Sequence, residues 1–283
     1  MPSKLITAAA VAALGVFTLP AAAQQVVAQA VSGDGDLNLT SYTNPFDPAN
    51  GGFTSAGDGF GIYQVGVSSS IPFALLDDTE AGFENDTLGV VDASTDTDPF
   101  FGVTDTVNGD TTGPVSASFL FDVSSANGQP LTLSMTLAAM GDFESFDLFD
   151  FAVSLDGGPA VSVLTPSFYD TNDIEGTDPE EPTGNPDYTY TLASGTEVTL
   201  ADPLSLDGTA ANIIDNEFDT MFSAVIGSAT STVELIVTAE TDGGSEAFAF
   251  RDVTLTATAI PEPTAIAGLL AGGGMLLLRR RKA

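Results

Sequence analysis

The side chains of this chain that could do chemistry are carboxylates, and little else is present to work with them. There are 39 Asp and Glu residues against six Lys and Arg, with no His, no Cys and no Trp. Without His or Cys, the nucleophile–base pairs of serine and cysteine hydrolases cannot be assembled, and thiolate metal sites and disulfides are excluded. Hard oxygen ligands in short acidic connections instead suit Ca²⁺. The best such group is Asp142, Glu144 and Asp147, in the link between two strongly patterned strands. Asp96 and Asp98, just before Pro99, form the next, followed by Asp77 and Asp78. A solvated turn on an acidic protein gives the same pattern. None fits an EF-hand: Asp34-Gly35-Asp36-Leu37-Asn38 starts like one but carries Leu39 where the loop needs glycine. No cofactor is required by the sequence, and a structural Ca²⁺ is the one ion it suggests.

Two carboxylates at suitable spacing can cleave a glycosidic bond. So many acids make that pattern uninformative, and the expectation is a protein that is not an enzyme. A carboxylate-based polysaccharide hydrolase or lyase is the alternative from the catalytic class. A calcium-dependent, lectin-like glycan-binding module is the alternative from the binding class. Tyr188 and Tyr190, two apart on a strand, would face the same way and could stack on a sugar, although a pair of core or cross-strand tyrosines has the same spacing.

The elements that must position these acids are strands. From Val115 onward the period-2 signal is clear. Phe119 and Phe121 share one face of a strand at Ser116–Val123. Leu131, Leu133, Met135 and Leu137 alternate with Thr132, Ser134 and Thr136. Phe149, Phe151, Val153 and Leu155 alternate with Asp150, Ala152, Ser154 and Asp156, after which Asp156-Gly157-Gly158 turns the chain into a hairpin partner at Ala160–Leu164. Thr232–Ala239 and Ala247–Ala257 close the body. Further strands are expected at Gln25–Val31, Phe60–Val67, Ile71–Leu76, Tyr188–Leu192 and Glu197–Leu200. Asn44–Gly61 and the acidic stretch Asp170–Asp187 read as loops. Asn212–Val225, through Ile213, Ile214, Phe218 and Phe222, carries helix-like spacing. The whole predicts an all-β, single antiparallel β-sandwich, jelly-roll-like, over residues 24–260. That is roughly 237 residues, a size all-β sandwiches reach as one domain.

In that body Arg251 is the sole cation, because Lys4, Arg279, Arg280, Arg281 and Lys282 lie in the tails. The chain carries a formal net charge of −33, which excludes nucleic acid as a partner. Its 43% hydrophobic content and mean hydropathy of +0.21 nevertheless argue for a packed core. Arg251 is therefore expected to be a structural counter-ion to several carboxylates. Phe248 and Phe250 share a face with Asp252, whereas Val253 and Leu255 share the other with Arg251. Either this strand is buried on both sides, or a bulge near Arg251 switches its register. The stretch Glu246–Thr256 resembles the closing strand of galactose-binding-like and concanavalin-like jelly rolls, with Arg251 in place of the first residue of their acidic pair; the resemblance implies a fold only.

Both ends read as addresses. Lys4, the apolar run Leu5–Leu19, Pro20 and Ala21-Ala22-Ala23 have the layout of a secretory signal peptide over residues 1–23. Residues 261–283 begin with Pro261-Glu262-Pro263, continue with the uncharged run Thr264–Leu278 and end in Arg279-Arg280-Arg281-Lys282. As a helix that run would be about 22 Å long, short against a hydrocarbon core of roughly 30 Å. An ordinary single-span transmembrane helix or a buried core helix is the other reading. This order of Pro-Glu-Pro, apolar helix and basic end resembles the PEP-CTERM sorting signal of exopolysaccharide-associated bacterial proteins. The resemblance implies recognition of Pro261, Glu262, Pro263 and Arg279–Lys282 by an exosortase, a membrane transpeptidase that removes the tail during export. It further implies an inner-membrane intermediate, then the cell surface, outer envelope or extracellular exopolysaccharide matrix. The expected role is that of a non-enzymatic structural or adhesive protein, with exopolysaccharide as a partner.

Overall fold

A computed structural model describes residues 24–77, 89–93, 95–140, 143, 146–168, 188–191, 197–200, 204–206, 214, 218, 220–244 and 246–258. The signal-peptide and sorting-tail readings, the acidic stretch 170–187, and Asp78, Asp142 and Glu144 lie outside them. Residues Gln24–Thr258 form one compact unit. Among the described residues no helix is long and apolar enough to cross a membrane.

The described chain is all-β, with short 3₁₀ turns. Its strands are β1 Gln24–Ala30, β2 Leu39–Thr43, β3 Gly59–Tyr63, β4 Leu76–Asp77, β5 Val91–Asp92, β6 Phe100–Thr104, β7 Val115–Asp122 and β8 Pro130–Met140. They continue with β9 Leu148–Leu155, β10 Val161–Leu164, β11 Ser167–Phe168, β12 Tyr188–Thr191, β13 Glu197–Leu200, β14 Leu204–Ser205, β15 Thr220–Ser228, β16 Thr232–Glu240 and β17 Ala247–Thr258. One antiparallel sheet has the order β15-β8-β17-β6-β3, with β1 also on β17; the other has the order β10-β9-β16-β7-β2. The chain changes sheet at most connections, a jelly-roll-like winding. The ribbons β4/β5, β11/β14 and β12/β13 are two-stranded and not hydrogen-bonded into either sheet.

Alternation in the sequence becomes alternation in burial. Ala117, Phe119 and Phe121 on β7, and Val233, Leu235, Val237 and Ala239 on β16, point inward. They meet Leu131, Leu133, Met135 and Leu137 of β8 in one core. Phenylalanines knit the sheets together: Phe149 lies 4.5 Å, ring centroid to centroid, from Phe248, and Phe151 meets Phe250 edge-on at 5.3 Å. Phe250 also stacks on Phe101 at 4.8 Å. Such offset and edge-on arrangements satisfy the ring quadrupoles as well as burying area.

The alternation stops at one end of β8 and of β17, where Ala138–Met140 and Ala247–Phe250 are buried on both faces. A second, smaller core covers the outer face there, built from Leu75, Val90, Val91, Phe100, Met140 and Phe218 with their neighbours. Gly102 admits this layer, since a β-carbon there would run into Leu75. Of the two arrangements open to the last strand, the structure has both. Its first half is doubly buried, then its pairing with β8 slips between Arg251 and Thr254, with Asp252 at φ 55°, and Val253 turns inward.

Two expectations are corrected. The helix-like spacing of residues 212–225 gives way to strand β15 from Thr220, with Phe222 and Ile226 packed against the core and Met221 and Val225 exposed. Pairing with β8 outweighs a spacing that fitted a helix equally well. The strand expected at Ile71–Leu76 is a 3₁₀ turn, Phe73–Leu75, followed by the two-residue β4. Leu39–Thr43, for which no element was expected, pairs with β7 as an edge strand.

Candidate functional site

At one end of the sandwich the strands deliver carboxylates from both sheets. Asp58 precedes β3, Asp105 follows β6, Asp147 precedes β9, Asp242 lies just beyond β16, and Glu246 precedes β17. Two of these connections are zipped together by a buried pair of threonines. Thr241 N–H donates to Thr106 Oγ1 at 3.0 Å, Thr106 N–H donates to Thr241 Oγ1 at 3.3 Å, and Val107 N–H donates to Thr241 O at 2.8 Å. With these segments fixed, Asp105 and Asp242 are brought together.

Asp147, Asp242 and Glu246 each offer a carboxylate oxygen, and these oxygens all lie within 4.8 Å of one another. Asp147 and Glu246 are buried and Asp242 is exposed. Glu246 Oε2 accepts the Gly243 N–H at 3.1 Å, and a β-carbon on Gly243 would overlap Glu246 Oε1. Glycine at 243 thus lets the carboxylate fold back against the loop. Asp242 also faces Asp105, whose carboxyl is pushed up to about 6 by burial, then by the charge of Asp58, with a smaller contribution from Asp242. Like charges crowded in a partly dry place disfavour ionisation in this way.

Of the acids read from the sequence, Asp147, Asp96 and Asp98 have described side chains. Asp147 joins this group. Asp142 and Glu144 lie outside the described residues. Asp96 pairs with Arg251, whose Nη1 contacts Asp96 Oδ2, whose Nε lies 3.9 Å from Asp252 Oδ2, and whose guanidinium sits 4.3 Å over the Phe218 ring. Asp98 donates its N–H to Asp96 Oδ1 at 3.0 Å and rests its carboxylate against Gly33. Asp96 is thus engaged by a cation of the chain itself. The side chains of Tyr188 and Tyr190 and of Asp77 lie outside the described ones.

Asp242 and Glu246 carried no signal of their own, because Asp242-Gly243-Gly244-Ser245-Glu246 reads as an ordinary turn. Only the pairing of β16 with β9 and β7 brings it beside Asp147. Chemically, three hard oxygen donors at this spacing suit a divalent cation of calcium type. Asp58 and Asp105 add carboxylates beside it, and a bound cation would lower the Asp105 pKa.

No protein-family model matches the chain, and no curated protein is significantly similar to it. A solved structure it is similar to is that of TmCBM61 in complex with β-1,4-galactotriose, at TM-score 0.26 and 11% identity, covering 56% of this chain and 68% of that one. At that TM-score the likeness says nothing of a ligand for this chain.

Proposed function

We propose that this chain is an exported, non-enzymatic protein of the cell surface or exopolysaccharide matrix, built on an acidic sandwich that Ca²⁺ fastens at one end. The observation that carries the reading is the meeting of Asp147, Asp242 and Glu246, two of them buried, from connections belonging to both sheets. Buried carboxylates are costly unless something compensates their charge. Ca²⁺ is the hard cation suited to these donors. The export half of the proposal rests on the two terminal patterns, with an exosortase as the processing partner and the membrane crossed only in transit.

Calorimetric titration of the full chain with CaCl₂ tests the reading, beside assays for reducing ends released from polysaccharides. The reading expects saturable calcium binding that weakens in Glu246→Gln, and no release of reducing ends. Absence of saturable binding would remove the calcium role. Release of reducing ends that is lost on replacing a single acid would make the protein an enzyme.

A further inference from the structure

We propose that a cleft beside the split in the first sheet binds a neutral polyhydroxylated ring, that is, a glycosyl unit of a polysaccharide. Strand β17 pairs with β6 through Phe248–Phe250 and with β1 from Val253 onward. Between those two stretches lies the Arg251–Asp252 bulge, and beside it opens a cleft of about 460 Å³. This lies within the range of small-ligand sites. Its walls include Val31, Ser32, Asp36, Ile62, Gln64 and Asp98.

The walls are fixed before any ligand arrives. Asp252 N–H donates to Val31 O at 2.8 Å, and Ser32 Oγ to Asp252 Oδ1 at 2.8 Å. Val31 N–H donates to Asp36 Oδ1 at 3.2 Å, and Gln64 Nε2 to Thr97 O at 2.9 Å. Val31 sits at φ 53°, a left-handed conformation costly for a β-branched residue, and it is held there by these contacts from both sides.

The lining selects the ligand. Asp36 and Asp98 accept hydrogen bonds and repel anions, while Gln64 retains a second N–H and its carbonyl oxygen for a ligand. Asp36 and Asp98 are exposed and Gln64 is half-buried. Among the described residues, the triad of acids close enough to hold a metal ion is Asp147, Asp242 and Glu246, so the cleft suits hydroxyl groups better than a cation. Ile62, which is half-buried, offers apolar surface to the C–H face of a ring, while Val31 is buried behind it and contributes through its backbone contacts. The proposal stands apart from the calcium reading, because none of the three triad acids lines this cleft.

The test is titration of the full chain, by ligand-observed magnetic resonance and calorimetry, with neutral β-linked trisaccharides of glucose, galactose, mannose and xylose. A polyuronate serves as the anionic control. At least one neutral trisaccharide is expected to bind with a dissociation constant of about 1 mM or tighter. Gln64→Ala and Asp98→Asn are each expected to weaken it about tenfold with melting temperature retained. Glu246→Gln and chelator are expected to leave it unchanged. Binding of none of the neutral sugars, binding of the polyuronate alone, or sugar binding that survives both Gln64→Ala and Asp98→Asn would overturn the proposal.

Discussion

Asp147 and Glu246 are both buried, at 4% and 2% exposure, and each places a carboxylate oxygen within 4.8 Å of the other and of Asp242. One precedes β9 and the other precedes β17, strands of opposite sheets. A cation held between them would tie the sheets together where like charges otherwise push them apart. Arg251, the sole cation among residues 24–258, is engaged with Asp96 and lies over Phe218.

Asp105 gives this end a pH signature. Its carboxyl is raised to about 6, by burial first, then by Asp58 and Asp242. Between about pH 4 and 6 the folded chain holds a proton that the unfolded chain has released, so this group favours folding as pH falls across that window. Its penalty is fully present above the window. In chelator, Asp105→Asn is therefore expected to melt at a higher temperature than the parent near neutral pH, with the difference vanishing near pH 4. Thermal melts across pH check this, and a variant that melts lower at neutral pH would contradict it.

The opposite end is buckled by Asp156. Its carboxylate accepts the N–H groups of Thr230, Ser231 and Thr232 and the hydroxyls of Thr230 and Ser231, at 2.8 to 3.0 Å. The Thr230 N–H, then those of Thr232 and Ser231, hold its pKa well below the usual carboxylate range. A depressed folded pKa stabilises above the unfolded value and loses that contribution as pH falls below about 4. Asp156→Asn keeps a residue that tolerates φ 52° but loses the charge. It is expected to lower the melting temperature at neutral pH, with the gap to the parent shrinking below pH 4.

Phe250 is the packing centre of the sandwich, stacked on Phe101 at 4.8 Å and in edge contact with Phe151 at 5.3 Å and Phe119 at 6.3 Å. Phe250→Ala is expected to cost about 3–5 kcal/mol in denaturant unfolding. A loss below about 1 kcal/mol would mean that the core closes over the gap.

The sandwich was legible where one face is buried and the other wet. Leu131, Leu133, Met135 and Leu137, or Phe149 and Phe151, allow no reading but a half-buried strand. It was not legible at β15, where Phe222 continues a helical spacing that begins with Ile214 and Phe218 ahead of the strand, and only pairing with β8 decides. The doubly buried ends of β8 and β17 were hidden as well, because the residues that cover them, Leu75 and Val90 among them, come from distant segments. Of the candidate site the sequence showed Asp147. The rest depends on Thr106 meeting Thr241 and on the register of β16, and local sequence encodes neither.

A substitution at Gly243 separates the proposed calcium site from general acidity. A β-carbon there would overlap Glu246 Oε1, while the chain's charge stays the same. Gly243→Ala is expected to displace Glu246 and weaken calcium binding about tenfold or more, as loss of one charged ligand contact implies. Titration calorimetry reads this directly, and unchanged affinity would remove Glu246 from the ligand set.

The central claim is tested most directly by the melting temperature of the full chain in calcium and in chelator at fixed ionic strength, beside Glu246→Gln. A specific ion bound only by the folded state raises the melting temperature by an amount that grows with the logarithm of its concentration over its dissociation constant, whereas screening depends on ionic strength alone. The account expects calcium to raise the melting temperature of the parent and to leave that of Glu246→Gln nearly unmoved. Equal melting temperatures in calcium and chelator, or the same rise in both proteins, would contradict it.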